Sequence, residues 1–354
     1  MSPAVKSLLI KALGRELGLS RVGIAPAAPL PGAAYYKSWL RRGYHGSMSY
    51  LARNVERRAA PASLLPGARG IICAALSYRP SPHDPPHAET APQGGPATGR
   101  VARYARGRDY HVVLRERLEA LVERLRRRLD EPFEARVFVD TGPLLERELA
   151  AAAGLGWIGK NTMLLSRGLG SYSVLGEVLT TLELSHDAPE TDHCGSCTRC
   201  LDACPTGAFP APYQMDASRC ISYLTIEHRG TVAPEFHAAI GEWIYGCDVC
   251  QEVCPFNDDA SAGDPELLAE RAGDRVDLLR LLRLTPEQHR AWLGDSAADR
   301  ARPAMWRRNA ALALGNRPTL DEGQRRALAE AAASDDLAVQ QAAREALRRP
   351  GDQG

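Results

Sequence analysis

The stretch HCGSCTRCLDACP at 193–205 constrains this chain more than any other. Its cysteines Cys194, Cys197, Cys200 and Cys204 follow C-x2-C-x2-C-x3-C, with Pro205 directly after. Such short spacings let one tight loop aim three thiolates at a [4Fe–4S] cluster while the fourth reaches across to a second. A later run, GCDVCQEVCPF, supplies Cys247, Cys250 and Cys254 and is again closed by a proline, Pro255. It lacks one thiolate, and Cys220 is the nearby candidate. The arithmetic closes at eight ligands for two cubanes: Cys194, Cys197, Cys200 and Cys254 for the first, and Cys204, Cys220, Cys247 and Cys250 for the second. Zinc is the rival, but structural zinc sites present two separated pairs rather than a triple run closed by Cys-Pro. Cys73, alone in the apolar stretch GIICAALSY, reads as a buried thiol. Two neighbouring clusters imply a path for electrons, and the rest of the chain must say what receives them.

At 354 residues there is room for two or three domains. No stretch approaches the roughly 18 apolar residues that span a bilayer. The opening MSPAVKSLLIKALGRELGL is broken by Lys6, Lys11 and Arg15, so it reads as an amphipathic helix with Val5, Leu8, Leu9, Ala12 and Leu13 on one face, not as a secretory signal. A cytoplasmic monomer with no membrane partner is expected, and a reducing compartment disfavours disulfides.

Residues 1–190 read as one α+β domain, 191–260 as a cysteine-rich domain and 275–350 as a helical tail. Strands are expected in LSRVGIAPA, ARGIICAALSY and ARVFVDTG, and in the glycine-broken GWIGKNTMLL and SYSVLGEVLTTLEL. A helix fits 112–129, with Val113, Leu118, Leu121, Val122, Leu125 and Leu129 on one side. Residues 79–99, with six prolines, read as a mobile surface loop. In the tail, WRRNAALAL (306–314) and VQQAAREAL (339–347) form a weak repeat at an offset of 33. That suits stacked helix pairs of a solenoid, although a plain Ala/Leu-rich bundle would share the pattern.

Taken in order, RYARGRDYH (103–111), VDTGPLLER (139–147), GWIGKNTMLLS (157–166), the cysteine run, CISYLTIEHRG (220–230) and RNAALALGN (308–316) resemble the epoxyqueuosine reductase family over roughly 35–350. The resemblance implies reduction of epoxyqueuosine to queuosine at the tRNA wobble position, the last step of queuosine synthesis. It also implies cobalamin beside two [4Fe–4S] clusters, an external low-potential electron donor, and three parts: an α+β cobalamin-binding domain, a ferredoxin-like domain and a HEAT-like helical tail that holds tRNA. Chemistry agrees, since low-potential clusters pass single electrons that a corrinoid can gather. The alternatives are another corrinoid iron–sulfur reductase, such as a dehalogenase, or an RNA-binding protein with structural clusters.

The resemblance implies that Asp140 is the proton donor, which would require burial to raise its pKa. Local sequence offers a different role, with Asp140 or Thr141 capping a helix that starts at Pro143 and Glu146 completing the turn. Cobalamin contacts implied by the likeness are Arg58, Tyr104, Asp140, Lys160, Asn161, Ser222, Cys247 and Asp248, each of which could equally serve an ordinary turn or ion pair. The Asp-x-His-x-x-Gly signature of histidine-ligated cobalamin is absent, because Leu114 stands where glycine belongs in DYHVVL. The nine histidines therefore read as surface or structural. Residues 280–317 hold eight arginines against three acids, a plausible phosphate track. Arg283, Arg307, Arg308 and Asn309 are the expected tRNA contacts, and Trp306 reads as core.

Overall fold

The computed structural model describes residues 1–79, 95–268 and 271–348; most of the loop expected at 79–99 lies outside them. The strands, in chain order, are β1 (Arg21–Pro26), β2 (Gly70–Ser77), β3 (Thr98–Val101), β4 (Ala135–Phe138) and β5 (Trp157–Ile158). They continue with β6 (Leu164–Leu165), β7 (Ser173–Thr180), β8 (Trp243–Tyr245) and β9 (Arg275–Asp277). The helices that matter below are α1 (Pro3–Glu16), α2 (Tyr110–Arg128), α3 (Glu146–Ala152) and α4 (Ile221–Ile226). In the tail they are α5 (Leu278–Leu282), α6 (Pro286–Leu293), α7 (Pro303–Gly315), α8 (Glu322–Ala331) and α9 (Leu337–Arg348).

β1, β2, β7 and β4 lie in that order in one antiparallel sheet. Every residue of β2 is buried, because both faces of the sheet are covered. Period-2 alternation sends Ile72, Ala74, Leu76, Val174 and Val178 towards α1 and α2. It sends Ile71, Cys73, Ala75, Leu175 and Leu179 towards α3. Glu177 falls on this second face by the same alternation, paired with Cys73 and with Phe138, and is fully buried. A carboxyl in that position needs a reason.

β8, β3 and β9 form a second sheet, with β3 parallel to β8 and antiparallel to β9. Val101, Ile244, Tyr245, Leu281, Trp306 and Leu314 meet in the core beneath it. Residues 97–105 thus pack with the tail as well as with the first sheet's core, where Tyr104 meets Tyr78 and Tyr110. Short-range patterns could not show this, because the partners lie some 140 or more residues away along the chain. The repeated stretches of the tail lie on α7 and α9, which pack directly together: a Cβ at Gly315 would come within 2.9 Å of Ala346 Cβ. Capping boxes at Thr285/Gln288 and Asp321/Gln324 start α6 and α8.

The buried face of α1 also differs from expectation. It consists of Lys6, Ser7, Ile10, Leu13 and Gly14, whereas Val5 and Leu8 are exposed. Polar groups turn the helix. Lys6 Nζ reaches Glu131 at 2.6 Å, and Ser7 Oγ donates to Ser185 O at 3.0 Å.

Candidate active site

The eight clustered cysteines divide into two sets. Burial, then Cys200, Cys194 and Cys197, pushes the Cys254 thiol up to about 11. Burial, then Cys220 and Cys250, pushes Cys247 well up. Cys250 is raised in the same way by burial, Cys220, Asp248 and Cys204. Cys194, Cys197, Cys200 and Cys254 are therefore neighbours, as are Cys204, Cys220, Cys247 and Cys250. The Cys200–Cys250 influence links the two sets. Crowded, desolvated thiols hold their protons, and only a strong cationic centre would turn them into thiolates. All eight are free thiols.

Each set has its own brace. Around the first, Lys160 Nζ donates to Gly195 O at 2.6 Å and to Cys197 O at 2.9 Å, and Asp192 accepts the Cys194 N–H at 2.7 Å. The Trp157 indole N–H faces the Cys194 sulfur. Around the second, Asn161 Nδ2 donates to Cys250 O, and Asp248 accepts the Arg103 N–H at 2.8 Å and the Gln251 amide at 3.2 Å. Gly246, at φ +66°, turns the chain into Cys247 where a Cβ would meet Ala102 at 2.4 Å.

Asp140 follows β4 as the middle residue of a three-residue turn closed by Thr141 N–H to Val139 O at 2.6 Å. Its φ of +54° is left-handed, a conformation costing about 1–3 kcal/mol that its surroundings must impose. Its N–H donates to Glu146 Oε1 at 2.6 Å. Its Oδ2 accepts from Tyr110 Oη at 3.0 Å and contacts His111 Nε2 at 3.1 Å, while His111 Nδ1 meets Asp109 Oδ1 at 2.7 Å. The expected cap is therefore absent. Helix α3 begins at Glu146 without a side-chain cap, and the carboxyl of Asp140 turns outward, 54% exposed.

The expected raised pKa of Asp140 is overturned too. Desolvation pushes it up, but the hydrogen bond and charge of His111, with Tyr110 and Arg300, outweigh burial and hold it below the ordinary carboxylate range. Burial acts against the His111 imidazolium, yet Asp109 and Asp140 raise its pKa to about 9. At neutral pH the proton sits on His111 and Asp140 is charged.

The double [4Fe–4S] cluster binding domain model matches residues 193–257, and the model described as epoxyqueuosine reductase QueG, DUF1730, matches 58–141. The epoxyqueuosine reductase of Pseudomonas aeruginosa is 42% identical over 319 residues, covering 90% of this chain and 87% of the relative. The chain belongs to the epoxyqueuosine reductase family. Among solved structures it is similar to an epoxyqueuosine reductase with an epoxyqueuosine-modified tRNA-Tyr stem loop, at TM-score 0.87 and 32% identity, covering 96% of this chain and 88% of that one. The Bacillus subtilis epoxyqueuosine reductase, with an aspartate catalytic loop swung out of its active site, matches at TM-score 0.84 and 31% identity over 96% and 88% of the two chains.

In this epoxyqueuosine reductase family member, several side chains expected to meet cobalamin or tRNA have protein partners. The side chains of Lys160, Asn161 and Asp248 are committed to the cysteine loops described above. Arg308 is 1% exposed, and its guanidinium donates to Leu224 O, His228 O and Gly230 O. Asn309, fully buried, donates to Thr225 O and Ile244 O. Neither side chain can meet RNA, because every polar atom faces inward. Arg283 and Arg307 do line a surface cavity of about 300 Å³ with Thr285 and Glu330, where Arg283 pairs with Glu330 at 2.9 Å. Trp306 stacks on Tyr245 in the core, as its sequence context implied.

The remaining expected corrinoid contacts fit a flat macrocycle better. Tyr104 and Tyr110 stand edge to face beside Asp140, half-buried. Arg58 holds Gly142 O and Leu144 O weakly, and its Nε is buried with no partner among the described residues. Such an orphaned donor suits an acceptor supplied by a bound group. Ser222 lies two residues beyond Cys220, and Cys247 belongs to the second set itself; both are half-buried. Sequence reading gave no site role to Asp109, Tyr110, His111 or Glu177: the first three were read only as a failed cobalamin signature in DYHVVL, and Glu177 was a lone acid in an apolar strand.

Proposed function

We propose that this chain reduces epoxyqueuosine to queuosine in tRNA. Family membership over nine-tenths of the chain supports it, and the observation that carries it is the outward Asp140 carboxyl paired with a protonated His111. Net removal of the epoxide oxygen as water takes two electrons and two protons. The two cysteine sets would each hold a [4Fe–4S] cluster, fed by an external low-potential donor. Arg58, Tyr104, Ser222 and Cys247 would hold cobalamin, which when bound supplies the reducing chemistry at the carbon–oxygen bond.

Solvent supplies one of the two protons, and the chain's own residues handle the other. His111 Nε2 passes it to Asp140 Oδ2, and Asp140 delivers it to the departing oxygen while Tyr110 holds the carboxyl in place. The expected corrective burial is thus replaced by a relay in which the acid is recharged by its neighbour. A HEAT-like tail bearing Arg283 and Arg307 would track the tRNA phosphates, in a cytoplasmic monomer.

The test is anaerobic conversion of an epoxyqueuosine stem loop with cobalamin and a strong reductant, followed by nucleoside analysis. Asp140→Asn should lower turnover roughly 10²–10⁴-fold with iron content unchanged. Full turnover by Asp140→Asn, or conversion without added cobalamin by cobalamin-free protein, would overturn the reading.

A further inference from the structure

Behind Asp140 lies a second acidic pair that the reaction as described does not use. We propose that Glu146 and Glu177 form a proton-holding carboxyl pair that positions the backbone of Asp140. The proposal rests on the reading of Asp140 as the acid.

Geometry carries it. Glu146, first residue of α3, reaches back so that its Oε1 accepts the Asp140 N–H at 2.6 Å. That contact fixes a residue whose left-handed φ of +54° would otherwise relax. Glu177 meets Glu146 from β7, and apart from that neighbour neither of its buried oxygens has a hydrogen-bond partner among the described residues. The charged and titratable groups facing the pair are Asp140 on the turn, Tyr110 on α2, Cys73 on β2 and Arg147 on α3. Arg147 is the single cation of these, and its guanidinium is drawn to Thr162 at 3.2 Å. Two carboxylates and Asp140 cannot all be charged in so little solvent, so the pair keeps protons that ordinary glutamates would have lost. Burial first, then Asp140, raises Glu146 to about 8, and burial first, then Glu146, raises Glu177 well above the usual range.

The sign follows. Below about pH 8 the pair is protonated, and Glu146 can accept the Asp140 N–H without repelling the Asp140 carboxylate. As pH rises through that value, a new negative charge beside Asp140 loosens its turn. Glu146 and Glu177 are positioning residues: they touch the backbone of the acid, not the substrate.

The test uses the anaerobic, cluster-loaded full chain. Infrared spectra at neutral pH should show the carbonyl band of a protonated buried carboxyl, lost on raising the pH, and weakened in both Glu146→Gln and Glu177→Gln. Either glutamine keeps an oxygen acceptor but cannot ionise. In turnover, Glu146→Gln should move the alkaline midpoint from about 8 to about 9, where His111 loses its proton, whereas Glu177→Gln leaves Glu146 to titrate. Glu146→Ala, which removes the acceptor, should lower kcat roughly 10–100-fold at all pH values with little change in KM. Absence of the band, or an alkaline limb unmoved by Glu146→Gln, overturns the proposal. A persistent band together with a fully active Asp140→Asn would instead sink the reading of Asp140 while leaving the protonated pair in place.

Discussion

The two cysteine sets share a chemistry and differ in what holds them. Three thiols of the first set lie in a surface loop, where Gly195, Ser196, Thr198 and Arg199 are exposed and one lysine from outside ties down the carbonyls, while the fourth, Cys254, is buried. The second is built into the core. Cys220 sits at the start of α4 and Cys247 just beyond β8, and both elements are fastened to α7 by Arg308 and Asn309. Thr225 Oγ1 adds a bond to the Gly246 N–H at 2.9 Å, one residue before Cys247. Burial raises Cys247 and Cys250 well up and Cys194 and Cys200 less, although Cys254 of the first set is buried too and rises to about 11. Under the proposed electron path, a peripheral set suits contact with an external donor. A set embedded in structure shared with the catalytic cleft suits delivery inward, since deeper burial disfavours added charge and tunes a cluster's potential.

Exchanging the sets' ligands would break this comparison most directly. Cys220→Ser should remove one cluster signal from the electron paramagnetic resonance spectrum, abolish turnover and destabilise the fold. Cys197→Ser should disturb the other signal and slow turnover while leaving thermal unfolding nearly unchanged. Equal destabilisation by the two variants would mean that the core does not distinguish the sets.

Sequence reading reached the two cysteine runs because each is local, with thiols spaced two and three residues apart and closed by a proline. It reached β2, β7 and α2 for the same reason, through apolar periodicity over eight to nineteen residues. What it missed depends on distant partners. Arg308 sits in an Ala/Leu-rich helix where an arginine reads as surface, and only the approach of the 224–230 carbonyls makes it core. The burial of Glu177 is forced by sheet alternation, but its purpose needs Glu146, thirty-one positions earlier, folded against it. β3 joins the tail's sheet through β8 and β9, which no window over 98–101 contains.

The brace of the second set can be cut without touching a ligand. Arg308→Met keeps the side-chain length but leaves the carbonyls of Leu224, His228 and Gly230 without this donor. Buried acceptors stripped of a charged donor should cost about 3 kcal/mol. Chemical denaturation would measure that loss, and iron release should come first from the second set, because α4 loosens beside Cys220. Loss of the first set's signal before the second would contradict the assignment of the brace.

The smallest effect tests the first set. Lys160→Met removes the ammonium from Gly195 O and Cys197 O but keeps the aliphatic stem. The loop is exposed and water can replace the lost donor, so global stability should fall by less than about 1 kcal/mol. The signature is local instead: on exposure to air the first cluster's signal should decay several-fold faster than in the parent, and the second's at the parent rate. If both signals decayed faster together, Lys160 would be bracing the whole cysteine region, and the two sets could not be treated as separately held.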